Sequence, residues 1–246
     1  QAGDFRLNRT MTLKDLAMAL TRGSLDLWVT LPEGWRREQI GQKLAEELTE
    51  ENGFDLKQFL ELTKNLEGKL FPDTYLVARE ATADQLVKLL TQTFTQKAGP
   101  AVKNNKTGLS EAEIITLAAV VEREASGDQD RGQVAAVLYK RLKINMGLDA
   151  DATLQYILGT KTCGQKVIAC EEWWPMPEAA DRQLNSPFNT YKFRGLPPTP
   201  IANPGVAAIK AVVEVEDTPY LYYLHDSKGQ IHLAKTLTEH QENIGK

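Results

Sequence analysis

Two glutamates, Glu122 and Glu124, stand at the end of an apolar run in the segment IITLAAVVEREAS. The spacing of the run predicts a helix, and at about 100° per residue the two acids lie on different sides of its apolar face. A carboxyl group at the edge of an apolar surface has a raised pKa, because burial disfavours its charged form. Such a group suits general acid–base catalysis. The alternative is a solvated helix end, with the acids paired to Arg123 or Arg131.

A second segment whose residues could form a functional site is NSPFNTYKFRGLPPTPIANPG, residues 185–205. Its prolines, glycines and asparagines predict a rigid loop without regular secondary structure. It also carries Phe188, Tyr191 and Phe193. Aromatic faces and amide side chains complement the C–H faces and hydroxyls of sugar rings, so this loop favours carbohydrate binding. The alternative is a structural loop that packs its aromatic rings inward.

The elements that must position these segments begin with a small α+β unit. Alternation predicts a strand over residues 4–8, and helical spacing follows with Thr12 or Thr10 as the N-cap and Gly23 after the last turn. The stretch LDLWVTLPEG predicts another strand, and WRREQIGQKLAEEL another helix. The predicted order over the first fifty or so residues is therefore strand–helix–strand–helix.

Helices dominate the middle of the chain. Ser110 and Glu113 have the capping-box spacing at the head of the helix that carries the two glutamates. The stretch DRGQVAAVLYKRLKINM predicts the next helix, ending at Gly147. Two strands about an SKG turn and a terminal helix follow the loop-rich region. The predicted fold class is α+β, with the glutamates on a helix of a helical core.

Composition excludes some classes of function. The 246 residues carry a net charge of −4, which does not predict nucleic-acid binding. No apolar stretch approaches the roughly 18–20 residues of a membrane span. The N-terminal segment QAGDFRLNRT does not have the form of a signal peptide, and we expect the chain to be a soluble piece of a longer, anchored protein.

Cysteines and histidines give weaker signals. Cys163 and Cys170 lie close together in the chain without a nearby histidine, which makes a poor zinc site. They fit a small disulfide loop or two free thiols equally well. His225, His232 and His240 have spacings that match no compact metal-ligand motif. We therefore expect no metal and no cofactor.

Seven segments, in order, carry a resemblance to a known family. They are AGDFRL with MTLKDLAMALTRG, VTLPEGW, LFPDTY, LAAVVEREAS, GLDADATLQY, SPFNTYKFRGLPPTPIANPG, and TPYLYYL with HLAKTLTEH. On these motifs the chain resembles the MltG-like (YceG-like) endolytic murein transglycosylases over nearly its whole length. The resemblance implies a bacterial enzyme that cuts peptidoglycan glycan strands internally.

The resemblance also implies an architecture and a location. Residues 1–65 would form a LysM-like, glycan-binding subdomain, and residues 66–246 a mixed α/β catalytic domain. Family members are held in the inner membrane by one N-terminal helix, with the enzyme on the periplasmic side. The implied partners are peptidoglycan strands and cell-wall synthases (penicillin-binding proteins).

The same resemblance implies roles for individual residues. The catalytic acid of the family falls on Glu124, and Glu122 becomes a structural or site-shaping neighbour. Ala125 stands where the family often has Thr, Phe188 where it often has Tyr, and Thr199 where it usually has Gly. The substrate-binding candidates are Asp151, Thr153, Gln155, Tyr156, Asn189, Thr190, Tyr191 and Asn203. For each of them a structural role is the alternative; Asp151, for example, could be the N-cap of a helix.

The implied reaction cleaves the β-1,4 bond between N-acetylmuramic acid and N-acetylglucosamine and forms a 1,6-anhydro end. One carboxyl group can serve as acid and then as base, so the second carboxylate of ordinary glycosidases is not needed. Three alternatives remain: a non-catalytic peptidoglycan-binding scaffold, a metal-dependent hydrolase using the histidines, and a hydrolytic muramidase.

Overall fold

The structure is a computed structural model, which describes residues 7, 9–21, 26–48, 53–164 and 166–244. The strand predicted over residues 4–8 and the glycine predicted to end the first helix lie outside the described residues. In chain order the first elements are α1 (Leu13–Thr21), β1 (Asp26–Thr30), α2 (Arg37–Glu47), α3 (Leu56–Leu62), β2 (Thr74–Ala78), α4 (Ala83–Lys97) and α5 (Gly99–Lys103). There follow α6 (Glu111–Glu124), α7 (Arg131–Lys143), α8 (Asp151–Cys163), α9 (Val206–Val213), β3 (Tyr222–His225), β4 (Ile231–Ala234) and α10 (Leu237–Ile244). The predicted α+β class is confirmed.

Capping fixes the starts of several helices. Ser110 and Glu113 form the predicted capping box of α6, and Thr82 with Gln85 forms another at α4. At α1 the hydroxyl of Thr12 accepts from the amide of Asp15, which identifies Thr12 rather than Thr10 as the capping residue. These local bonds satisfy amides that a helix leaves unpaired in its first turn.

The smaller hydrophobic cluster lies around an antiparallel pair of strands. Trp28 in β1 pairs with Leu76 in β2, a strand that was not predicted. The last three elements of the predicted strand–helix–strand–helix order are present as α1, β1 and α2, and its first strand lies outside the described residues. Helices α2 and α3 and the first part of α4 cover one face of this sheet. The cluster includes side chains on both sides of the boundary predicted between residues 65 and 66, such as Phe59 and Leu86. The division into two subdomains stays a prediction.

The larger cluster surrounds α6. All residues from Ile114 to Val121 are buried, because α7, α8 and α9 pack around this helix. A helix that is apolar on every side is typical of a core position. Phe94 near the end of α4 already belongs to this cluster, so α4 joins the two cores. The last residue of α6, Glu124, emerges from the core with partial exposure.

The hairpin of β3 and β4 was predicted around the SKG turn, and the structure confirms it, with Tyr223 opposite Leu233. Tyr223 packs against the larger cluster, so the hairpin lies on the core that holds α6. Among the described residues, none of the helices has the length and apolar character that crossing a bilayer requires.

Candidate active site

The carboxyl group of Glu124 is held on both of its oxygens. Oε1 accepts a hydrogen bond from the amide of Ala152 at 3.0 Å, and Oε2 accepts from the hydroxyl of Tyr223 at 2.9 Å. Burial raises the pKa of Glu124, and these two hydrogen bonds act in the opposite direction. The position is therefore one where a carboxyl can be protonated and ionised in turn, as general acid–base catalysis requires.

Asp151 and Tyr191 form a second polar pair beside Glu124. The hydroxyl of Tyr191 donates to Oδ1 of Asp151 at 2.7 Å. The negative charge of Asp151 contributes to the raised pKa of Glu124, which requires the two carboxyls to be near each other. Burial and the bond to Asp151 raise the pKa of Tyr191, so it stays protonated as a donor. Asp151 is an exposed residue, so its carboxylate is accessible to a ligand.

Helix α8 begins at Asp151 itself, so the residue that caps the helix is the one before it. Ala150 is the N-cap, and Asp151 is the first helical residue, so the interpretation of Asp151 as the N-cap is wrong. Just before the helix Asp149 has φ of +50°, an uncommon backbone conformation for a residue with a side chain. This turn directs the first amides of α8, including that of Ala152, toward the end of α6.

Thr153, Asn189 and Thr190 are buried and satisfied by protein groups. The hydroxyls of Thr153 and Thr190 lie 3.0 Å apart, and Thr190 accepts from the amide of Ala150 at 3.1 Å. The Asn189 amide donates to the carbonyls of Arg182 and Leu184, while its carbonyl accepts from the amide of Tyr191. These side chains hold the loop that carries Tyr191 against α8. This is the structural role that was the alternative to substrate binding for these three residues.

Gln155 and Tyr156 lie further along α8. Gln155 is directed to the sulfur of Met176 at 3.7 Å. The Tyr156 ring lies 4.9 Å from that of Phe188, and the guanidinium of Arg36 lies 4.1 Å from its centroid. Burial raises the pKa of Tyr156 to about 12. Phe188 is thus directed inward, which agrees with the alternative that this loop packs its aromatic rings against the protein.

Asn203 lies at a different place from the other candidates. Its amide donates to the carbonyl of Trp35 and to Glu67, and its carbonyl accepts from the amide of Leu70 at 2.9 Å. It is fully buried between the segment around β1 and α2 and the loop before α9. Asn203 therefore orients this loop, and the structure does not bring it together with Asp151 and Tyr191.

Sequence reasoning missed two side chains near Glu124, both from β3. Tyr223 contacts the carboxyl directly, and the electrostatic interaction with His225 lowers the pKa of Glu124. His225 is itself paired with Asp130, which also accepts from the amides of Ser126 and Gly127. Alternation along YLYYLH places Tyr223 and His225 on one face of the strand, and this was the available signal.

Comparison with known proteins gives the family. The YceG-like family model matches residues 1–246. The chain belongs to the YceG-like family. It is 31% identical over 271 aligned residues to a Bacillus subtilis protein named endolytic murein transglycosylase, covering 98% of this chain and 71% of that protein. It is 27% identical to a Streptococcus pneumoniae protein of the same name, covering 99% of this chain and 50% of that protein.

A solved structure agrees with this assignment. The 2.6 Å crystal structure of a YceG-like protein from Listeria monocytogenes superposes with a TM-score of 0.71 at 26% sequence identity. The alignment covers 94% of this chain and 80% of that one. The fold described above is therefore a YceG-like fold.

In this YceG-like chain Glu122 is directed away from the group around Glu124. Its Oε1 is 3.1 Å from Arg131 Nη2, and its Oε2 accepts from the amide of Gly205 at 2.9 Å. The pairing with Arg131 that belonged to the alternative of a solvated helix end is found for Glu122, but the side chain of Glu122 is buried rather than solvated. Arg123, between the two acids, stacks on Trp174 at 4.0 Å. Glu122 is a structural residue that ties α6 to α7 and to the start of α9.

The segment that follows α8 is anchored to α2. Cys163 and Cys170 form a disulfide, which decides between the two alternatives for these residues. The indole N–H groups of Trp173 and Trp174 donate to Gln42 and Gln39, respectively. This segment therefore connects the C-terminal end of α8 to the smaller cluster.

The histidines take up other contacts. His225 and His232 pair with Asp130 and Asp226, and His240 stacks on Tyr222 with ring centroids 5.3 Å apart. Within the part of the chain that the structure describes, no group of three or more His, Cys, Asp or Glu side chains could hold a metal ion.

Proposed function

We propose that this YceG-like chain is an endolytic lytic transglycosylase of peptidoglycan, with Glu124 as its catalytic acid and base. The observation that carries the proposal is the environment of this carboxyl: burial raises its pKa, while fixed donors on both oxygens orient it. The names of the two relatives support the same reaction class. They favour an enzyme over a non-catalytic scaffold.

In the proposed reaction, neutral Glu124 gives its proton to the glycosidic oxygen that links N-acetylmuramic acid to N-acetylglucosamine. The bond between that oxygen and the anomeric carbon breaks. The resulting carboxylate takes the proton of the muramyl 6-hydroxyl, whose oxygen bonds to the anomeric carbon and closes a 1,6-anhydro ring. Glu124 ends neutral, and water is not consumed. General acid–base catalysis of this kind contributes about 10²–10⁴-fold to a rate.

Asp151 and Tyr191 are the proposed substrate-binding groups nearest to the reacting bond. A carboxylate beside the anomeric carbon stabilises the positive charge that develops in the transition state. The hydroxyl of Tyr191 orients Asp151 through the 2.7 Å hydrogen bond. Gln155 and Tyr156, further along α8, would contact the bound glycan strand. Thr153, Asn189, Thr190 and Asn203 would support binding by holding the loop in place, since their polar atoms already have protein partners.

The N-terminal part of the chain is proposed to be a LysM-like, glycan-binding subdomain. The cluster around the antiparallel pair of β1 and β2, covered by α2 and α3, supports a compact unit, although β2 and the first part of α4 lie beyond the predicted boundary at residue 65. Action on peptidoglycan implies a location outside the cytoplasm. Attachment to the inner membrane by a preceding helix and contact with cell-wall synthases are further proposals, which rest on the family resemblance.

The decisive experiment compares Glu124→Gln with Glu122→Gln on isolated sacculi. Mass spectrometry of the released fragments distinguishes anhydro ends from hydrolytic ends, because the anhydro product is lighter by one water. We expect wild type to release anhydro fragments, Glu124→Gln to release none, and Glu122→Gln to remain active although less stable. Retained activity in a folded Glu124→Gln variant would contradict the assignment, and hydrolytic ends would identify a muramidase. Binding of sacculi by wild type without product would favour the scaffold.

A further inference from the structure

The two oxygens of Glu124 have donors of different kinds. Ala152 offers a backbone amide, which can only donate a hydrogen bond, whereas Tyr223 offers a hydroxyl, which can donate or accept. The unprotonated oxygen of a neutral carboxyl is the better acceptor. The fixed amide at Oε1 therefore favours Oε2 as the oxygen that carries the proton.

We propose, on the basis of the proposed function, that Tyr223 is a positioning residue whose hydroxyl reverses its hydrogen bond to Glu124 Oε2 during the reaction. When Glu124 is neutral, its Oε2 proton is donated to Tyr223. The glycosidic oxygen of the bound strand then replaces Tyr223 as the acceptor. After proton transfer the Tyr223 hydroxyl donates to the carboxylate, and the proton of the muramyl 6-hydroxyl finally returns to Oε2.

The surroundings of Tyr223 suit this role. Its ring packs against the larger cluster, and its position in β3 is fixed by pairing with Leu233 of β4. Burial raises the pKa of the Tyr223 phenol well above its usual value, and the negative charge of Glu124 acts in the same direction. The phenol therefore keeps its proton when Glu124 is ionised, so it can donate at that stage.

Other charges also face the carboxyl group of Glu124, and they must be separated from the effect of Tyr223. Asp151 on α8 raises its pKa, and His225 on β3, held by Asp130, lowers it. Arg123 is the charged neighbour on α6 itself. A change confined to the phenol oxygen leaves all of these groups in place.

Two substitutions at position 223 shift the pKa of Glu124 in opposite directions. Tyr223→Phe removes a donor that stabilises the carboxylate, so we expect the pKa of Glu124 to rise by about one unit. A genetically encoded 3,5-difluorotyrosine at position 223 has a more acidic phenol and donates more strongly, so the pKa should fall. A purely structural role of the ring would move neither value, because both variants keep the ring.

The experiment measures this pKa in two ways. Infrared titration follows the protonated carboxyl band that disappears in Glu124→Gln, and it requires no turnover. The basic limb of the pH profile of kcat/KM on glycan strands reports the loss of the same proton during catalysis. In Tyr223→Phe we also expect kcat to fall about 10- to 100-fold, as misplaced catalytic groups typically cause, with little change in KM.

Tyr139→Phe is the matched control, since the Tyr139 hydroxyl donates to the carbonyl of Thr107 at 2.7 Å, away from Glu124. If the band and the basic limb of Tyr223→Phe coincide with those of Tyr139→Phe, the proposal is overturned. If Tyr223→Phe does not fold, the difluorotyrosine variant decides by the presence or absence of its downward shift. If wild type forms no anhydro product, the proposed function fails, while the infrared titration still decides the role of Tyr223.

Discussion

The hydroxyls of Thr153 and Thr190 lie 3.0 Å apart in the buried contact between α8 and the loop that carries Tyr191. Thr153 donates its proton to the carbonyl of Ala150 at 2.7 Å, which leaves the proton of Thr190 for the oxygen of Thr153. Thr190 in turn accepts from the amide of Ala150. The two threonines thus fix the residue that caps α8, and through it the amide that binds Glu124.

Thr190→Val removes the acceptor of the buried Ala150 amide while keeping a branched side chain of similar shape. An unsatisfied buried amide costs about 1–3 kcal/mol, so we expect the free energy of unfolding to fall by that amount. Thr190→Ser keeps the hydroxyl and is the control. Urea denaturation measures stability, and release of anhydro fragments measures whether α8 still positions Glu124. Equal stability of the two variants would show that the threonine pair does not hold α8.

Local features of the fold could be predicted from the sequence, because their causes are local. The capping box of Ser110 and Glu113 and the hairpin around the SKG turn depend on residues a few positions apart. By contrast, β2 was not predicted as a strand, although TYLVA alternates, because its partner β1 lies on the other side of α2 and α3. The helix, strand and helix that end the predicted strand–helix–strand–helix order are present as α1, β1 and α2, because their patterns are local.

At the site, the sequence pattern alone could not decide which of the two glutamates is catalytic. Helical periodicity places Glu122 and Glu124 symmetrically about the apolar face. The difference comes from distant partners: Arg131 and Gly205 bind Glu122, whereas Ala152 and Tyr223 bind Glu124. Only the family resemblance selected Glu124 before the fold was known. Tyr223 was missed because nothing in a strand sequence indicates which acid its hydroxyl meets.

The disulfide between Cys163 and Cys170 should contribute measurably to stability. Closing a short loop of this kind lowers the entropy of the unfolded chain, which corresponds to about 2 kcal/mol. We expect the double variant Cys163→Ser/Cys170→Ser to unfold at a temperature roughly 5 °C lower, given a chain of this size. Hydrogen exchange should also become faster in the segment that follows α8, where Trp173 binds Gln42. Wild type in reducing buffer is the control and should match the double variant; no difference from oxidised wild type would contradict this prediction.

A substitution at Gly68 tests how closely the segment after the smaller cluster's α3 packs against α6. Its φ is +86°, and a Cβ atom added there would lie 2.5 Å from Cγ2 of Ile115 and 2.8 Å from Cγ of Pro200. Gly108 has nearly the same φ, +82°, with open space around it. Gly108→Ala therefore measures the backbone strain alone, about 1–2 kcal/mol. Gly68→Ala should cost about 1–3 kcal/mol more, through overpacking against α6. Chemical denaturation of both variants gives the difference, and equal losses would mean that this contact is loose.

Glu67 makes the stability of the protein depend on pH. Its carboxyl accepts from the amide of Arg37 at 3.0 Å and from Asn203 at 2.7 Å, between the smaller cluster and the loop before α9. Burial raises its pKa from 4.5 to about 8, and the charge of Glu38 acts in the same direction, while Arg36 opposes them. Because the folded pKa lies above the unfolded value, the contribution is fully present below pH 4.5 and is lost as pH rises toward about 8.

We expect the free energy of unfolding of wild type, measured in urea between pH 4.5 and pH 8.5, to fall by several kcal/mol more than that of Glu67→Gln. The expected difference is on the order of 5 kcal/mol, since the pKa of Glu67 rises from 4.5 to about 8 and one unit of pKa corresponds to about 1.4 kcal/mol. Gln keeps an acceptor for both donors but has no charge to bury. Glu61→Gln, at an exposed position on α3, is the control and should follow the wild-type curve. If the Glu67→Gln curve runs parallel to that of wild type, Glu67 is ionised in the folded protein throughout this range, and the basic groups around it outweigh its burial.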